Sequence, residues 1–560
     1  MKGCEYIVDY LASHGVTDAF GIPGGVVLDL LYAMDDKEGI TPHLSYHEQA
    51  AGFAACGYAQ ASGKLGVAYA TRGPGFTNLI TAIADAYYDS LPVLFITAHA
   101  ASCPPKGMRV MDDQEMDTCN MVRNITKEAV RADDVETFAD VFAKLCHSAV
   151  EGRKGPVLLD VSAKVLKQEL PVFNEERKDV RKEIFDCKSA CKDIVESVRT
   201  AKRPVLLVGD GIHQAGAEKL LCQFIKSASI PTVSSRFSHD LMGKSEQYFG
   251  YVGSHGTRCA NFILSKTDLI IALGNRLHFP VASQTFRDVF KHARLIRCEI
   301  DNGEMMREVP NSTCYQVDVA EVLGELADTL YDDGEHKEWM RICHELKGEL
   351  HEEDMNEPVR MIAGILSGIP ANWSVVSDVG NNEFWVSRAS VYTGNNHRTY
   401  YSKSFGALGC GLGKAIGVYY ATHRPVVSFI GDQGLQMNIQ ELQFIGQHRL
   451  PIFVVLINNS ASGMIRDREK SFGKFLHTTK DSGFRSPCYK EIAKGYGIGY
   501  HLLSKTSEMD TLISTSLHPT LVEMVVDEGV GLTPNLPRGS ECQNMCPALA
   551  KKKYEYLNQL

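Results

Sequence analysis

The sequence predicts an α/β protein of three doubly wound domains, each built on a sheet of parallel strands. Its 560 residues exceed what one hydrophobic core usually supports. Strand-like apolar runs alternate with helical patterns, and glycine turns follow many of these runs, as in doubly wound sheets. We place the domains at residues 1–165, 186–330 and 358–560, because the segments between them are rich in charge and poor in apolar periodicity. The third domain includes a proline-containing C-terminal tail.

Each unit contains clear strand patterns that are bounded by glycine, proline or polar residues. These runs lie at 66–70, 92–97 and 155–160 in the first unit, at 203–211, 268–274 and 294–301 in the second, and at 375–380, 426–430 and 452–457 in the third. The first and third units are similar in layout, which indicates a duplicated α/β module.

The overall charge restricts the class of partner. The formal net charge of −10 argues against nucleic acid or an anionic membrane as the main partner. A small anionic substrate remains compatible with this charge, because a local basic site can bind it. No apolar stretch reaches the roughly 18–20 residues of a transmembrane helix, and the acidic first ten residues do not resemble a targeting signal. We therefore expect a cytoplasmic protein.

Two polar segments follow two predicted strands of the third unit. Residues 431–434 (Gly-Asp-Gln-Gly) come directly after the strand at 426–430, and residues 458–459 (Asn-Asn) end the next strand. A strand–helix–strand unit brings both strand ends to the same edge of a sheet, where ligands of such sheets bind. We therefore expect the two segments to lie close together.

The residue types in these segments suit a divalent metal that also holds phosphate oxygens. The Asp432 carboxylate, the Asn459 amide oxygen and the Ala461 carbonyl, with two phosphate oxygens, would fill most of an octahedral Mg²⁺ shell. Gly431 and Gly434 would let backbone N–H groups approach a diphosphate closely. The alternative interpretation is a turn followed by a helix cap, and either segment alone would favour it. Together, each after its own strand, they favour the cofactor site.

The same segments resemble the fingerprint of thiamine diphosphate-dependent enzymes, in which Gly-Asp-Gly is followed after about two dozen residues by Asn-Asn. The third position here is Gln433, a departure from the fingerprint, and Gly434 follows it at once. The resemblance covers nearly the whole chain and is closest to the large subunit of acetolactate (acetohydroxyacid) synthase, on segments such as 437–442 and 253–261. It implies a pyrimidine-binding, a central and a diphosphate-binding domain, with thiamine diphosphate and Mg²⁺ as cofactors.

The resemblance assigns the carboxylate that starts thiamine catalysis to Glu48. Residues 45–51 resemble the segment whose glutamate hydrogen-bonds the aminopyrimidine ring of a cofactor held by the other subunit. Without the resemblance, a glutamate at this place is more often a charge at a helix N-terminus. Because Glu48 and Asp432 meet across a subunit interface in this family, the resemblance implies a homodimer at least, and tetramers are common.

Further site residues follow from the same resemblance. The Gly406 carbonyl would accept from the aminopyrimidine, and the Leu408 side chain would hold the two cofactor rings in a bent form, although Leu408 alone would suggest plain core packing. The implied catalytic residues are Glu48, Gly25 and Gln114. The implied cofactor-binding residues are Pro23, Gly24, Glu48, Asn78, Asn381, Asn382, Gly406, Leu408, Gly431, Asp432, Gln433, Gly434, Asn459, Gly463 and Met464.

Several positions depart from acetolactate synthase and leave the substrate open. Arg468 stands where that family has a tryptophan that selects the acceptor, and it could bind an anionic group or point to solvent. Lys127 matches the family, so Lys127 and Arg468 are the candidate substrate residues. Arg276 matches a turn next to the FAD of that family, but the acidic pair that follows is missing. FAD therefore stays open.

We expect a thiamine diphosphate-dependent carboligase that decarboxylates a 2-oxo acid, usually pyruvate, and transfers the two-carbon unit to an acceptor carbonyl. One alternative is a decarboxylase that releases an aldehyde. Another is a carboligase for a keto-sugar nucleotide, because the C-terminal tail resembles proteins of surface-sugar pathways. A homologue that binds the cofactor without turnover is a third, against which the intact Glu48 argues. A regulatory subunit is left open.

Overall fold

The computed structural model describes residues 1–100, 113–171, 186–277, 284–327, 334–394, 397–515 and 517–560. These residues form three sheets of six strands each, and neighbouring strands within every sheet run parallel. Helices cover the faces of the sheets. The predicted architecture of three doubly wound α/β domains is therefore confirmed. Within the described ranges, no helix has the length and apolar composition needed to cross a bilayer.

The first sheet contains strands β1 (Asp18–Gly21), β2 (Thr41–Leu44), β3 (Gly66–Tyr69), β4 (Val93–His99), β5 (Glu128–Ala132) and β6 (Val157–Ser162). Their order is β2-β1-β3-β4-β6-β5. Strands β3, β4 and β6 are buried at every residue, because helices cover both faces of the sheet. The helices of this unit are Gly3–Ser13, Leu28–Asp35, Glu48–Ser62, Pro74–Tyr88, Thr118–Val122, Phe138–Val150 and Ala163–Lys167, with a 3₁₀ turn at Gly25–Val27.

The central sheet contains strands β7 (Pro204–Val208), β8 (Thr232–Ser234), β9 (Tyr248–Tyr251), β10 (Leu269–Leu273), β11 (Arg294–Glu299) and β12 (Ser312–Gln316). Their order, β12-β11-β10-β7-β8-β9, is that of dinucleotide-binding sheets and reverses between β7 and β10. The helices are Cys187–Thr200, Gly211–Gln214, Glu218–Ala228, Arg258–Lys266, Gln284–His292, Asn302–Met305, Val319–Ala327 and Lys337–Leu350, with 3₁₀ turns at Arg236–Ser238 and Glu352–Asp354.

The third sheet contains strands β13 (Ser374–Ser377), β14 (Thr399–Tyr401), β15 (Val426–Gly431), β16 (Ile452–Asn458), β17 (Gly499–Leu502) and β18 (Thr520–Val525). Their order, β14-β13-β15-β16-β18-β17, repeats that of the first sheet, so the predicted similarity of these two units is confirmed. The helices are Glu357–Gly368, Asn381–Thr393, Gly411–Thr422, Asp432–Met437, Glu441–Gln447, Gly463–Glu469, Tyr489–Gly495, Glu508–Thr515 and Lys551–Gln559, with a 3₁₀ turn at Lys470–Phe472.

The C-terminal tail runs from the third sheet onto the central unit. The Leu536 N–H donates to the Ser254 carbonyl at 2.7 Å. The final helix, Lys551–Gln559, buries Leu557 in the core cluster that contains Trp339. The tail therefore connects the third unit to the central unit.

Helices Glu48–Ser62 and Gly411–Thr422 pack the first unit against the third with their backbones in contact. A Cβ added at Gly413 would lie 2.7 Å from the Ala50 carbonyl oxygen, and one at Gly57 would lie 2.8 Å from the Lys414 Cα. Real Cβ atoms do not approach other atoms so closely, so only glycine fits at these two positions. This crossing sets the distance between the two units that carry the predicted site residues.

Candidate cofactor site

The predicted metal ligands meet at the carboxyl edge of the third sheet, where β15 and β16 end side by side. Asp432 is buried, and its Oδ1 accepts from the Gln433 N–H at 2.9 Å. Burial raises the pKa of Asp432 to about 6, although hydrogen bonds from backbone N–H groups, those of Ser460 and Ala461 among them, lower it. The structure therefore brings Asp432 to the loop that carries Asn459 and Ala461.

Asn381 has unsatisfied polar atoms within this group. Both atoms of its buried side-chain amide have no hydrogen-bond partner among the described residues. A buried polar group without a partner costs about 1–3 kcal/mol, so native proteins rarely keep one without a reason. A Cβ at Gly463 would lie 2.8 Å from the Asn381 Nδ2 and 2.9 Å from the Asn459 Nδ2, which places both amides against the same glycine. This arrangement fits a polar ligand such as a diphosphate.

Within the described residues, no three His, Cys, Asp or Glu side chains are grouped to bind a metal. The predicted set has one carboxylate, Asp432, with an amide and a carbonyl, so phosphate oxygens and waters would complete the shell. Asn382 has a structural role, because its Nδ2 donates to the Asp378 carbonyl at 2.6 Å. The residues present fit a metal that arrives together with a diphosphate.

Asp378 organises the loop under the predicted cofactor, a role that the sequence did not reveal. Its Oδ1 accepts from the Gly409 N–H at 2.9 Å and its Oδ2 from the Gly411 N–H at 3.0 Å. Burial raises the pKa of Asp378 to about 6, and these N–H groups counteract the shift. The available signal was a carboxylate directly after β13, the strand next to β15.

The loop itself carries Gly406 and Leu408. Gly406 has φ +70°, in the left-handed region, and a Cβ added there would meet no atom within 4 Å. Leu408 is only partly buried, which argues against plain core packing. Gly406 therefore faces open space at the place where the resemblance puts the cofactor rings.

Glu48 lies in a second cluster, at the carboxyl edge of the first sheet. It is the first residue of helix Glu48–Ser62, and the Asn78 Nδ2 donates to its Oε2 at 3.0 Å. A Cβ at Gly75 would lie 3.3 Å from the Glu48 Oε1. Glu48 is partly exposed. The described contacts of Glu48 therefore join it to the first turns of helix Pro74–Tyr88, and they do not join it to Asp432 of the same chain.

The other predicted residues of the first unit lie around this edge. Gln114 has φ +59°, and its Cβ lies 2.7 Å from where a Cβ of Gly73 would be. Gly24, which follows Pro23, packs against the Thr71 side chain. A Cβ at Gly25 would meet nothing within 4 Å. The loops after β1 and β3 and the one before helix Thr118–Val122 thus form one surface.

The two candidate substrate residues lie apart from these clusters. Lys127 precedes β5, at the amino end of its sheet, and its Nζ donates to the Glu151 carbonyl at 2.7 Å. Burial lowers the pKa of Lys127. Arg468 is exposed at the end of helix Gly463–Glu469. The structure brings neither residue into contact with Glu48 or Asp432, so both stay predictions.

A cavity of about 920 Å³ lies at the carboxyl edge of the central sheet and extends to Met464. Its lining includes the turns after β7 and β10, which come so close that a Cβ at Gly211 would lie 2.6 Å from the Gly274 Cα. Five basic side chains line it: Arg153, Lys154, Arg236, Arg276 and Lys403. Six acidic residues line it as well: Asp89, Glu151, Asp210, Glu299, Glu304 and Asp318. The place and size of the cavity, rather than its charge, therefore fit a nucleotide cofactor, and FAD is the one that the sequence left open.

Comparison with known proteins covers all three units. Three family models match: "Thiamine pyrophosphate enzyme, N-terminal TPP binding domain" at residues 1–121, the central domain at 191–326, and the C-terminal TPP binding domain at 378–524. The chain is 30% identical to the acetolactate synthase isozyme 2 large subunit of Escherichia coli, over 98% of this chain and 100% of that protein.

Two further relatives come from a second bacterium and an archaeon. The acetolactate synthase large subunit of Lactococcus lactis is 30% identical, over 97% of this chain and 96% of its own length. A probable acetolactate synthase large subunit of Methanocaldococcus jannaschii is 29% identical, over 100% of this chain and 98% of its own length. The predicted resemblance is therefore confirmed, and the chain belongs to the thiamine pyrophosphate enzymes as a member of their acetolactate synthase-like family.

Proposed function

We propose that this enzyme decarboxylates pyruvate and transfers the resulting two-carbon unit to an acceptor carbonyl. A thiamine diphosphate-dependent decarboxylating carboligase is the activity of its family, and the choice of pyruvate is consistent with the relatives. The observation that carries the proposal is the meeting of Asp432, Asn459 and the unpartnered Asn381 at one sheet edge. This group has the chemistry of a metal and diphosphate site and has no other evident use.

Asp432, Asn459 and the Ala461 carbonyl would hold Mg²⁺, and Asn381 would contact the diphosphate. When bound, thiamine diphosphate supplies the carbon nucleophile and stores the electron pair released by decarboxylation. Gly406 offers its backbone at an open place, because a Cβ added there would meet no described atom within 4 Å. The protein therefore contributes binding and orientation on this side.

Glu48 would hold a proton at the aminopyrimidine ring of the cofactor. The Asn78 amide donates to the Oε2 of this carboxylate and leaves its Oε1 facing Gly75, where an added Cβ would lie 3.3 Å from it. A positioned carboxylate of this kind contributes about 10²–10⁴-fold to a rate. The family resemblance places this glutamate across a subunit interface from the metal ligand, and no described contact joins Glu48 to Asp432 of the same chain, so Glu48 would act on the cofactor of a second copy. The enzyme would then be an oligomer whose smallest active form is a homodimer, and a tetramer would be two such dimers.

The acceptor is tested directly by mass spectrometry of the products. The protein is incubated with Mg²⁺, thiamine diphosphate and pyruvate, alone and with 2-oxo acids, aldehydes and a keto-sugar nucleotide. We expect a ligation product with at least one acceptor and no product without thiamine diphosphate. Aldehyde as the sole product throughout would replace the carboligase with a simple decarboxylase.

Arg468 is the proposed acceptor contact, because it is an exposed guanidinium on the helix that begins at Gly463. If it binds an anionic acceptor, Arg468→Trp will change the order of preference among the acceptors and leave pyruvate consumption in place. FAD is proposed for the cavity that Arg276 lines. The absorption spectrum of the purified protein tests this, since bound flavin is yellow. Cytoplasmic location stays a prediction.

A further inference from the structure

The loop of residues 402–411, which carries Gly406 and Leu408, is clamped by buried carboxylates from two different domains. Asp378 of the third unit holds its distal end, as described above. We propose that Asp85 and Asp89 of the first unit are positioning residues that hold the proximal half and thereby place the cofactor. This inference rests on the proposed function and adds residues that do not touch the cofactor themselves.

The contacts of Asp89 are with the backbone of the loop. Its Oδ2 accepts from the Lys403 N–H at 2.7 Å, and its Oδ1 accepts from the Ser404 N–H at 2.8 Å. Two hydrogen bonds from consecutive N–H groups fix both the position and the orientation of this stretch. Charged acceptors make such bonds stronger than neutral ones do.

Asp85 acts through Ser402. The Ser402 hydroxyl donates to the Asp85 Oδ1 at 2.5 Å, and the Ser402 Oγ in turn accepts from the Ala407 N–H at 2.8 Å. Ala407 stands between Gly406 and Leu408. The chain of bonds thus runs from Asp85 to the residue between the two that the resemblance assigns to the cofactor rings.

Lys414 is the counter-ion of both carboxylates. Its Nζ lies 2.9 Å from the Asp85 Oδ2 and 3.9 Å from the Asp89 Oδ2, and it donates to the Tyr401 carbonyl at 2.9 Å. Lys414 and Asp85 are fully buried. Burying charged groups is costly, and well-packed apolar residues would often stabilise a fold as well or better. The cluster is therefore better explained by the geometry it imposes on the loop than by stability.

Helix Pro74–Tyr88, which carries Asp85, also contacts Glu48, the proposed catalytic carboxylate. Asn78, Asp85 and Asp89 are spaced at two turns and one turn along helix Pro74–Tyr88 and its C-cap, so they lie along one face. Asn78 holds Glu48 at one end, while Asp85 and Asp89 hold the cofactor loop at the other. Helix Pro74–Tyr88 and its C-cap thus fix the position of Glu48 and the position of the 402–411 loop relative to each other.

Asp89→Asn and Ser402→Ala test the proposal, with Asp354→Asn as the matched control. Asp354 is also fully buried and pairs with Arg258 at 3.5 Å, away from the loop. Three quantities are measured for each protein: the dissociation constant of thiamine diphosphate with Mg²⁺ by calorimetry, the melting temperature without cofactor, and kcat and KM for pyruvate.

We expect both loop variants to weaken thiamine diphosphate binding and lower kcat by about tenfold to a hundredfold, with KM for pyruvate within about twofold. The control should lose melting temperature but keep its affinity for the cofactor. The proposal is overturned if the loop variants lose only melting temperature, or if the control loses affinity equally. Ser402→Ala removes no charge, so it keeps the test decisive if Asp89→Asn does not fold. Wild-type protein that fails to bind thiamine diphosphate would instead overturn the proposed function.

Discussion

The two clusters of the candidate site differ in how their polar side chains are satisfied. Glu48 is partly exposed and already accepts a hydrogen bond from Asn78. Asn381 is buried, and its amide has no hydrogen-bond partner within the part of the chain that the structure describes. An unsatisfied buried group is preorganised for a ligand, whereas an exposed, oriented carboxylate is ready to meet a partner surface. Within one chain, the described residues therefore bring Asp432, the Asn459 loop and Asn381 together, whereas no described contact joins Glu48 to Asp432.

The largest expected effect is on turnover in a variant of Glu48, which should lower the rate without weakening cofactor binding. Glu48→Gln should lower the rate of product formation from pyruvate by about 10²–10⁴-fold, because the amide cannot take up the proton that the carboxylate holds. The affinity for thiamine diphosphate should change by no more than a few fold, since the diphosphate cluster is untouched. Steady-state kinetics and calorimetry measure the two quantities. Unchanged turnover would remove Glu48 from the mechanism.

The link between the two clusters gives a pH-dependent prediction. Glu441 of the third unit accepts from the Tyr46 N–H at 3.0 Å, just before Glu48, and burial raises the pKa of Glu441 from 4.5 to about 7. A carboxyl group with a raised pKa in the folded state contributes stability below pH 4.5 that is lost as the pH rises through about 7. The shift of the Glu441 pKa corresponds to a loss of about 3 kcal/mol in the free energy of unfolding.

Glu441→Gln should remove this loss. The difference in unfolding free energy between the variant and the wild type should therefore increasingly favour the variant between pH 5 and pH 8, by about 3 kcal/mol. Urea unfolding at both pH values measures it. The same difference at both values would show that Glu441 is not the responsible group.

On the diphosphate side, Asp432→Ala should weaken Mg²⁺-dependent thiamine diphosphate binding by about 10–100-fold. The loss follows from removing the carboxylate of the proposed metal set. Asp527→Ala is the control, because Asp527 is exposed and its described side-chain hydrogen bond is to the Gly529 N–H. Calorimetry at fixed Mg²⁺ measures both. If both variants bound thiamine diphosphate with equal affinity, Asp432 would not be a metal ligand.

A smaller effect is expected from one added methyl group. Gly463→Ala should weaken cofactor binding by about tenfold, because its Cβ would displace the Asn381 and Asn459 amides. Gly348→Ala is the matched control: it lies within a helix, its Cβ meets nothing within 4 Å, and it should stabilise the protein by about 0.5–1 kcal/mol. A cofactor affinity unaffected by Gly463→Ala would mean that the two amides do not contact the ligand.

Local sequence patterns predicted much of the fold but only part of the site. The strand runs and glycine turns predicted three parallel sheets, and the two segments after β15 and β16 predicted the meeting of Asp432 with the Asn459 loop. These features repeat over short stretches of chain. The bond between Asp89 and Lys403 joins residues 314 positions apart, and no local pattern marks such a pair. Likewise, the Asn381 amide lacks a hydrogen-bond partner only because of how the described residues pack around it, and no local sequence pattern shows this.

The glycine contact between helices Glu48–Ser62 and Gly411–Thr422 has a consequence for motion. Where two backbones are in direct contact, a change of side-chain rotamer cannot shift one helix against the other, so we expect this crossing to have a single arrangement. The first and third units should then behave as one rigid body, without a hinge at this crossing. Any opening that admits substrate must come from other parts of the chain or from the way two copies separate. Motions that open the site are therefore expected outside the crossing of Gly57 and Gly413.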